Sequence, residues 1–181
     1  DLERVGQLIW QRTGIAPMFV AGSSGAEYAL VAHWQANGLV ERTAATSSVE
    51  VVDQIVVVSG SCSPVTADQI ARAEERGFET VALNPIRFVD GSSATFEIND
   101  GIEKGLAAIG AGKSVILHTG RGSDDPRIEK TVAHLKERGF SDLDIKLRSG
   151  AILGRALGHM LRELLLKSGI KRAATTGGDT S

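Results

Sequence analysis

Four short stretches of the sequence combine glycine with serine or threonine and carry almost no side-chain bulk. Each follows a run of strand-like residues, and the first three lead directly into a predicted helix. Glycine lets a backbone approach an anion, hydroxyl groups donate hydrogen bonds, and a helix start has unpaired N–H groups with partial positive charge. This combination is typical of phosphate binding. The stretches are VAGSSGA (20–26), VVSGSCSPVT (57–66), ILHTGRGSDDP (116–126) and ATTGGDTS (174–181).

One such stretch is equally typical of an ordinary strand-to-helix turn, because any α/β protein uses Gly and N-capping Ser, Thr or Asp there. Four of them at one edge of a sheet favour a nucleotide or a phosphorylated ligand. Ligands of parallel sheets bind at the carboxyl ends of the strands, and the stretches fall at these positions in the predicted order of elements.

The elements that must position these stretches alternate between strand and helix. This alternation predicts an α/β fold with a mostly parallel sheet and helices on both faces, a Rossmann-like three-layer arrangement. Strands are expected to open the segments 16–25, 54–64, 79–85, 114–125 and 171–181. Residues 39–54 are predicted to form a loop, with an edge strand as an alternative, and residues 140–150 a loop or a short strand. Helices are predicted over 2–14, 26–38, 66–77, 100–112, 126–139 and 151–169.

Two glycine motifs partly match known nucleotide-binding patterns but are not expected to have that function. AAIGAGKS (107–114) satisfies a loose phosphate-loop pattern, but it leaves a helix and enters a strand, whereas a true phosphate loop does the reverse. We therefore expect Gly110 and Gly112 to end a helix and Lys113 to be a solvated turn lysine. GRGSDD (120–125) lacks the third glycine of a dinucleotide fingerprint, so it gives NAD binding little support.

Several single residues could also take part in chemistry. His118 ends a predicted strand, so a ligand contact is an open alternative there, whereas Cys62 is interpreted as a small packing residue rather than a nucleophile. Asp124 and Asp125 are predicted helix caps, with a contact to metal-bound water as the alternative. Asp179 is either a turn aspartate or a carboxylate beside a Mg²⁺–phosphate unit, which needs hard oxygen ligands. The remaining histidines are expected to be partly exposed on helices: His33, His134 and His159.

Composition limits the classes of partner. The 181 residues include 20 basic and 22 acidic side chains, and a net charge of −2 argues against nucleic-acid or membrane-surface binding. A single cysteine predicts a reducing compartment, here the cytoplasm. No apolar run approaches the ~20 residues of a membrane span, and no signal peptide is recognised. Because the chain starts at Asp1 and stops after a glycine-rich turn, we expect it to be a fragment of a longer protein.

Three segments together resemble a known family. SGSCSPVTADQI (59–70), followed far downstream by TTGGDTS (175–181) and preceded by GSSGAEYAL (22–30), resembles the nucleotide-binding C-terminal domain of the four-carbon acid sugar kinase family. The similarity covers about residues 17–181. The first two motifs at this separation are specific to the family, whereas GSSG alone is a weak signal.

The resemblance implies an ATP-dependent kinase that phosphorylates the terminal hydroxyl of acid sugars such as threonate, erythronate and oxo-tetronates. It implies that residues 1–16 are an interdomain helix or linker and that residues 17–181 are the nucleotide-binding domain. The acid sugar would be held mainly by an N-terminal domain. That domain and a further glycine-rich segment of the family are missing here, so the fragment alone is expected to be inactive.

The resemblance also implies site residues and cofactors. ATP would be bound by two loops, and Mg²⁺ would be held partly by Asp179. No general base is assigned. The first loop comprises Ser59, Gly60, Ser61 and Ser63, and the second comprises Gly177, Gly178, Asp179 and Thr180.

Two other functions stay open. The first is a non-catalytic sensor or scaffold domain that binds a nucleotide or phospho-ligand without transferring phosphate. The second, weaker one is a dinucleotide-dependent oxidoreductase, against which the incomplete fingerprint argues. Exposed helix faces are compatible with a homodimer.

Overall fold

A computed structural model describes residues 1–14, 17–41 and 50–178 of the chain. The chain divides into two compact units, Asp1–Glu50 and Val51–Ser181. The predicted division between residues 16 and 17 concerns functional domains and stays a prediction. Within the described ranges, no helix combines the length and the apolar character needed to cross a membrane.

The first unit consists of two helices, α1 (Leu2–Thr13) and α2 (Ser24–Ala36). They pack closely at Gly6, where an added Cβ would lie 1.8 Å from the carbonyl oxygen of Ala29. His33 of α2 is buried beside this contact, with 8% of its surface exposed, so the prediction of a partly exposed His33 is wrong.

The strand predicted to open residues 16–25 is also wrong in the described part, because residues 17–23 form no strand. Its apolar residues do not enter a core, and Phe19 is 92% exposed. An apolar run becomes a stable strand only where neighbouring strands can pair with it. The edge strand considered for residues 39–54 lies partly outside the described residues, and residues 50–54 form no strand.

The second unit contains four strands and five helices within the described residues. Apolar, β-branched runs form the inner strands, and each main helix begins at a capping residue or a proline that fits the first turn. The elements are β1 (Val56–Ser59), α3 (Pro64–Glu75), β2 (Glu79–Ala82), α4 (Pro85–Asp90), α5 (Ala94–Gly110), β3 (Val115–His118), α6 (Pro126–Glu137), α7 (Asp142–Ser168) and β4 (Ala173–Thr176).

The four strands form one parallel sheet in the order β2-β3-β1-β4. Ser59 at the end of β1 is in register with His118 of β3 and with Thr176 of β4. Because crossovers between parallel strands are right-handed, this strand order places α3 on one face of the sheet and α5 and α7 on the other. The predicted α/β fold with a parallel sheet is therefore confirmed.

The core lies between the sheet and the pair α5 and α7. Met160 and Leu164 of α7 are fully buried against the strands. Two glycines of α5 make this packing close, since an added Cβ at Gly101 would lie 2.3 Å from Met160 Cε, and one at Gly105 2.8 Å from Leu164 Cδ2. The core side chains from the strands are Val56, Val58, Val81, Val115 and Leu117.

Residues 140–150 are not the predicted loop or short strand. α7 starts at Asp142, where the Ser141 side chain accepts a hydrogen bond from the Asp144 N–H. Within this range, LDIKL (143–147) alternates apolar and polar residues as a strand does, but of its three apolar residues only Ile145 is buried, while Leu143 and Leu147 are exposed. A capped helix start satisfies the backbone without any pairing partner.

Candidate functional site

Three of the glycine- and serine-rich loops meet at the carboxyl edge of the sheet. The Gly60 N–H extends β1 toward β4 by donating to the Thr176 carbonyl at 2.9 Å. On the other side of β1, the Thr119 N–H donates to the Ser59 carbonyl at 3.0 Å. These two bonds hold the loops after β1, β3 and β4 side by side. The fourth stretch, residues 20–26, belongs to the first compact unit and follows no strand.

The loop after β1 ends in a helix start that faces the same edge. Ser61 Oγ is 2.8 Å from Thr66 Oγ1 and accepts from the Ser63 N–H at 3.2 Å, which closes a tight turn. Ser63 is the N-cap of α3, but its side chain makes no capping hydrogen bond. The N–H groups of Ser61 and Cys62 donate to no other group among residues 50–178. Unpaired donors at a helix start are suited to an anion.

Ser59 contributes a buried hydroxyl to this loop. Its side chain is fully buried, and its Oγ has no hydrogen-bond partner in the described part of the chain. Val56 and Val58 point into the core, so the alternation along β1 directs Ser59 toward the face that carries α3. An unpaired buried hydroxyl costs about 1–3 kcal/mol. It is therefore a group that a bound water or ligand oxygen can satisfy.

The loop after β3 packs against the loop after β1. An added Cβ at Gly120 would lie 3.3 Å from Cys62 Sγ, and one at Gly122 3.4 Å from the Ala67 side chain. Gly122 also has a φ of +85°, a conformation that favours glycine. The two loops therefore form one continuous surface, on which the Cys62 thiol is exposed. Partial burial and the neighbouring Asp125 carboxylate raise the pKa of this thiol.

Asp125 organises the loop after β3. Its carboxylate accepts from the Arg121 N–H at 2.8 Å and from the Arg127 N–H at 2.9 Å, and it pairs with the Arg127 guanidinium. Hydrogen bonding to Arg127 lowers the pKa of Asp125 to about 2. The prediction of Asp125 as a helix cap is confirmed, since it is the N-cap of α6. Asp124 does not cap the helix; it is exposed and accepts from the Ser123 hydroxyl at 3.0 Å.

Sequence reasoning missed Arg127 as a residue of this edge. The one signal in the sequence was its place in the first turn of a helix, where a basic side chain opposes the helix dipole. Arg127 contacts His118, which is 3% exposed. Burial, with the charge of Arg127, lowers the pKa of His118.

The loop after β4 is described only at its beginning. Gly177 has a φ of +130°, and an added Cβ at Gly178 would meet no described residue within 4 Å. Within the described ranges, nothing fills the space beside Gly178. The predicted site residues Asp179 and Thr180 lie outside the described residues. The described ranges contain no group of three or more His, Cys, Asp or Glu able to hold a metal ion, so the Mg²⁺ assignment to Asp179 stays a prediction.

The motif AAIGAGKS (107–114), which satisfies a loose phosphate-loop pattern, has the expected surroundings. Gly110 ends α5, and Gly112 follows with a φ of +79°. Lys113 Nζ pairs with the exposed Glu79 carboxylate at 2.8 Å. This motif therefore lies at the amino edge of the sheet, away from the loops described above. His134 and His159 are partly exposed and exposed, respectively, in agreement with the prediction.

Comparison with known proteins gives a family and two curated relatives. The chain is 38% identical over 180 residues to a 3-oxo-isoapionate kinase of Paraburkholderia graminis, covering 99% of this chain and 37% of that protein. It is 28% identical over 163 residues to a 3-oxo-tetronate kinase of Pseudomonas savastanoi pv. phaseolicola, covering 90% of this chain and 34% of that protein. The chain thus spans about a third of the length of these relatives. No solved structure matches it.

The family match coincides with the second compact unit. Residues 56–181 match the family model described as "Nucleotide-binding C-terminal domain". This range starts at the first residue of β1 and contains all three loops at the carboxyl edge. The chain therefore belongs to the nucleotide-binding C-terminal domain family of the four-carbon acid sugar kinases, as its loop motifs predicted.

Proposed function

We propose that this chain is the ATP-binding part of a kinase that phosphorylates a four-carbon acid sugar on its terminal hydroxyl. The names of the two relatives, kinases of 3-oxo-isoapionate and 3-oxo-tetronate, support this reaction class. The substrate we propose is an acid sugar of the threonate, erythronate or oxo-tetronate type, held mainly by a separate N-terminal domain.

One structural observation carries the proposal. The hydrogen bond from Gly60 to Thr176 holds the start of α3 and the glycine turn after β4 next to each other. The first of these offers unpaired N–H groups, and in the second none of the described residues fills the space beside Gly178. Phosphoryl transfer needs positioned reactants and donors around phosphate oxygens more than it needs covalent help from the protein. A surface with these two properties is suited to a polyphosphate.

We assign the phosphate contacts to the two loops of the family resemblance. In the first loop the backbone N–H groups of Ser61 and Cys62 would donate to phosphate oxygens, and the buried Ser59 hydroxyl would complete the donor set. In the second loop, Gly177 and Gly178 would let the backbone come close. The residues proposed to bind ATP are Ser59, Gly60, Ser61, Ser63, Gly177, Gly178, Asp179 and Thr180.

We propose that Mg²⁺ accompanies ATP and is held partly by the Asp179 carboxylate. When bound, the ion would neutralise charge on the phosphate oxygens. Mg²⁺ is usually bound by one or two carboxylates together with substrate phosphates and water, so phosphate oxygens and water would supply its other ligands. We further propose a cytoplasmic location, in keeping with the single cysteine, and a homodimer.

Titration of the full-length gene product with ATP and ADP, with and without Mg²⁺, tests the proposal. We expect saturable binding that Mg²⁺ strengthens. The product should also release ADP when it is supplied with one member of a panel of four-carbon acid sugars. The absence of saturable nucleotide binding would refute the proposal. Nucleotide binding without ADP release on any acid sugar would instead favour the sensor or scaffold alternative.

A further inference from the structure

Arg127 donates hydrogen bonds to groups at the carboxyl ends of two strands. One terminal nitrogen, Nη1, contacts the Leu83 carbonyl at 2.9 Å and the His118 carbonyl at 3.3 Å. The other, Nη2, contacts Asp125 and also His118 Nδ1 at 3.2 Å, while Nε donates to Asp125 at 3.0 Å. An arginine has five N–H donors, so this set of partners can occupy all of them. Arg127 therefore has no donor left for a phosphate.

The peptide group between Leu83 and Asn84 is held from both sides. Its carbonyl accepts from Arg127, and its N–H donates to Glu97 Oε1 at 2.6 Å. Glu97 is buried, with 5% of its surface exposed, and its other oxygen pairs with Arg87 at 3.1 Å. Charged partners on both sides fix the point where the chain leaves β2, immediately beside the end of β3.

Arg127 also lies in an unfavourable position for a helix. It follows Pro126 in the first turn of α6, where the helix dipole is positive. The guanidinium is largely buried, with 23% of the side chain exposed. A cation in this position is stabilised by the carboxylate of Asp125 and by carbonyl oxygens of the strand ends. The buried guanidinium is therefore stable only while these acceptors stay in place.

We infer that Arg127 is a positioning residue of the proposed nucleotide site, which holds the ends of β2 and β3 and the loop 119–125 in the geometry that binds the nucleotide. This inference rests on the proposed function. The contact path runs from Arg127 through Asp125 to the Arg121 N–H. From that loop it continues through Gly120 and Gly122 to the loop after β1. Arg127 thus shapes the loop after β1, which we propose to bind phosphate, without itself contacting the ligand.

The two contacts of His118 Nδ1 require different tautomers. Its Nδ1 lies 3.2 Å from Arg127 Nη2 and also 3.2 Å from the Gly120 carbonyl. Arg127 can only donate, so a bond to it requires an unprotonated Nδ1 and a proton on Nε2. The Gly120 carbonyl would require the opposite tautomer. We expect the first, because a hydrogen bond from the charged guanidinium to Nδ1 is stronger than one from a neutral imidazole N–H to the Gly120 carbonyl.

The test compares Arg127→Met and Arg127→Lys with wild-type full-length protein, using MgATP as the probe. We expect Arg127→Met to raise the Kd for MgATP by about tenfold or more, because small displacements of the groups that bind the nucleotide reduce its affinity by this much. Arg127→Lys should bind with intermediate affinity, since one ammonium cannot bridge both strand ends. Arg138→Met is the matched control. It removes an exposed arginine pair with Asp90 at the other end of α6 and should leave the Kd unchanged.

Nitrogen NMR of histidine-labelled protein, with the His118 signal assigned from its loss in His118→Gln, gives a second readout. It does not depend on nucleotide binding or on the folding of the arginine variants. Wild-type protein should show Nδ1 unprotonated and Nε2 protonated at neutral pH. A protonated Nδ1, or unchanged MgATP affinity in folded Arg127→Met, would overturn the inference. Wild-type protein that does not bind MgATP would refute the proposed function instead.

Discussion

Gly60 donates its backbone N–H to the carbonyl oxygen of Thr176, across 2.9 Å at the carboxyl edge of the sheet. The two residues are far apart in the sequence, yet this bond makes their loops neighbours. The turn through Ser61 and the turn through Gly178 therefore belong to one surface. Substitutions that add bulk to either turn should act on the same ligand.

We predict that Gly178→Val lowers the affinity for MgATP by about tenfold or more, because its side chain would fill the space needed by a close phosphate. An added Cβ at Gly178 meets no atom of residues 50–178 within 4 Å, so the fold of this part of the chain should be unchanged. Ser61→Trp should have the same effect from the neighbouring loop. Isothermal titration of the full-length protein measures the affinity, and circular dichroism checks the fold.

Gly110→Val is the control for Gly178→Val. Gly110 also has open space around its Cβ position, but it lies at the end of α5, at the amino edge of the sheet. This variant should bind MgATP as the wild type does. If Gly178→Val and Gly110→Val bind equally well, the turn after β4 does not contact the nucleotide.

We predict that MgATP protects Cys62 from alkylation. Cys62 is the single cysteine of the chain, and its exposed thiol lies between the loops after β1 and β3. Because its pKa is raised, labelling should be slow near neutral pH and should accelerate as the pH rises toward and above the ordinary thiol pKa of about 8.5. Mass spectrometry of the peptide containing Cys62 measures the rate.

A nucleotide bound over these loops should slow the labelling of Cys62 by about an order of magnitude when the site is saturated. Free phosphate at the same ionic strength is the control and should protect far less. Equal labelling rates with and without saturating MgATP would show that the nucleotide does not cover the loop after β1.

We predict that Asp125 contributes to stability above about pH 4 and that this contribution is lost in acid. Its pKa falls from 3.8 to about 2 on folding, so the unfolded chain binds the proton more readily. Stability from this group is therefore present above the unfolded pKa and disappears as the pH falls from about 4 to about 2. The side chain is 7% exposed, which limits screening by solvent. The contribution should be on the order of 2 kcal/mol.

Urea unfolding of wild type and Asp125→Asn between pH 2 and pH 7 measures this effect. The difference in the free energy of unfolding should be largest at pH 7 and should shrink toward pH 2. Asp142→Asn, which removes an exposed carboxylate paired with Lys136, should change stability by less than about 1 kcal/mol. A constant difference for Asp125→Asn across the whole pH range would contradict the linkage.

We predict that Gly6→Ala disrupts the packing of α1 on α2. The new Cβ would lie 1.8 Å from the Ala29 carbonyl oxygen, a backbone atom that cannot move without shifting the helix. Overpacking of this kind costs about 1–3 kcal/mol or more. Hydrogen exchange should show faster exchange of the amides in α1 and α2. Gly14→Ala, at a position where an added Cβ meets no described residue within 4 Å, should leave these exchange rates unchanged.

The sequence predicts those features of the structure that depend on residues close together in the chain. The strand Val56–Ser59 and the end of a helix near Gly112 can be predicted from local sequence. A β-branched run favours a strand, and a positive φ after a helix favours glycine. The start of α7 was missed because LDIKL alternates like a strand, and only the packed chain selects Ile145 for burial. The role of Arg127 was missed because the strand order brings its carbonyl partners together, and a local sequence pattern does not reveal the strand order.

The strand order also determines when this sheet can form during synthesis. Val56 pairs with Val115 of β3 and with Ala173 of β4, and β2 pairs with β3. No strand of the described sheet therefore has a partner until β3 has left the ribosome. Until then β1 is an unpaired hydrophobic segment, which is the kind of nascent chain that chaperones bind. Translation pauses placed before Val115 should thus prolong chaperone binding, whereas pauses after Thr176 should not.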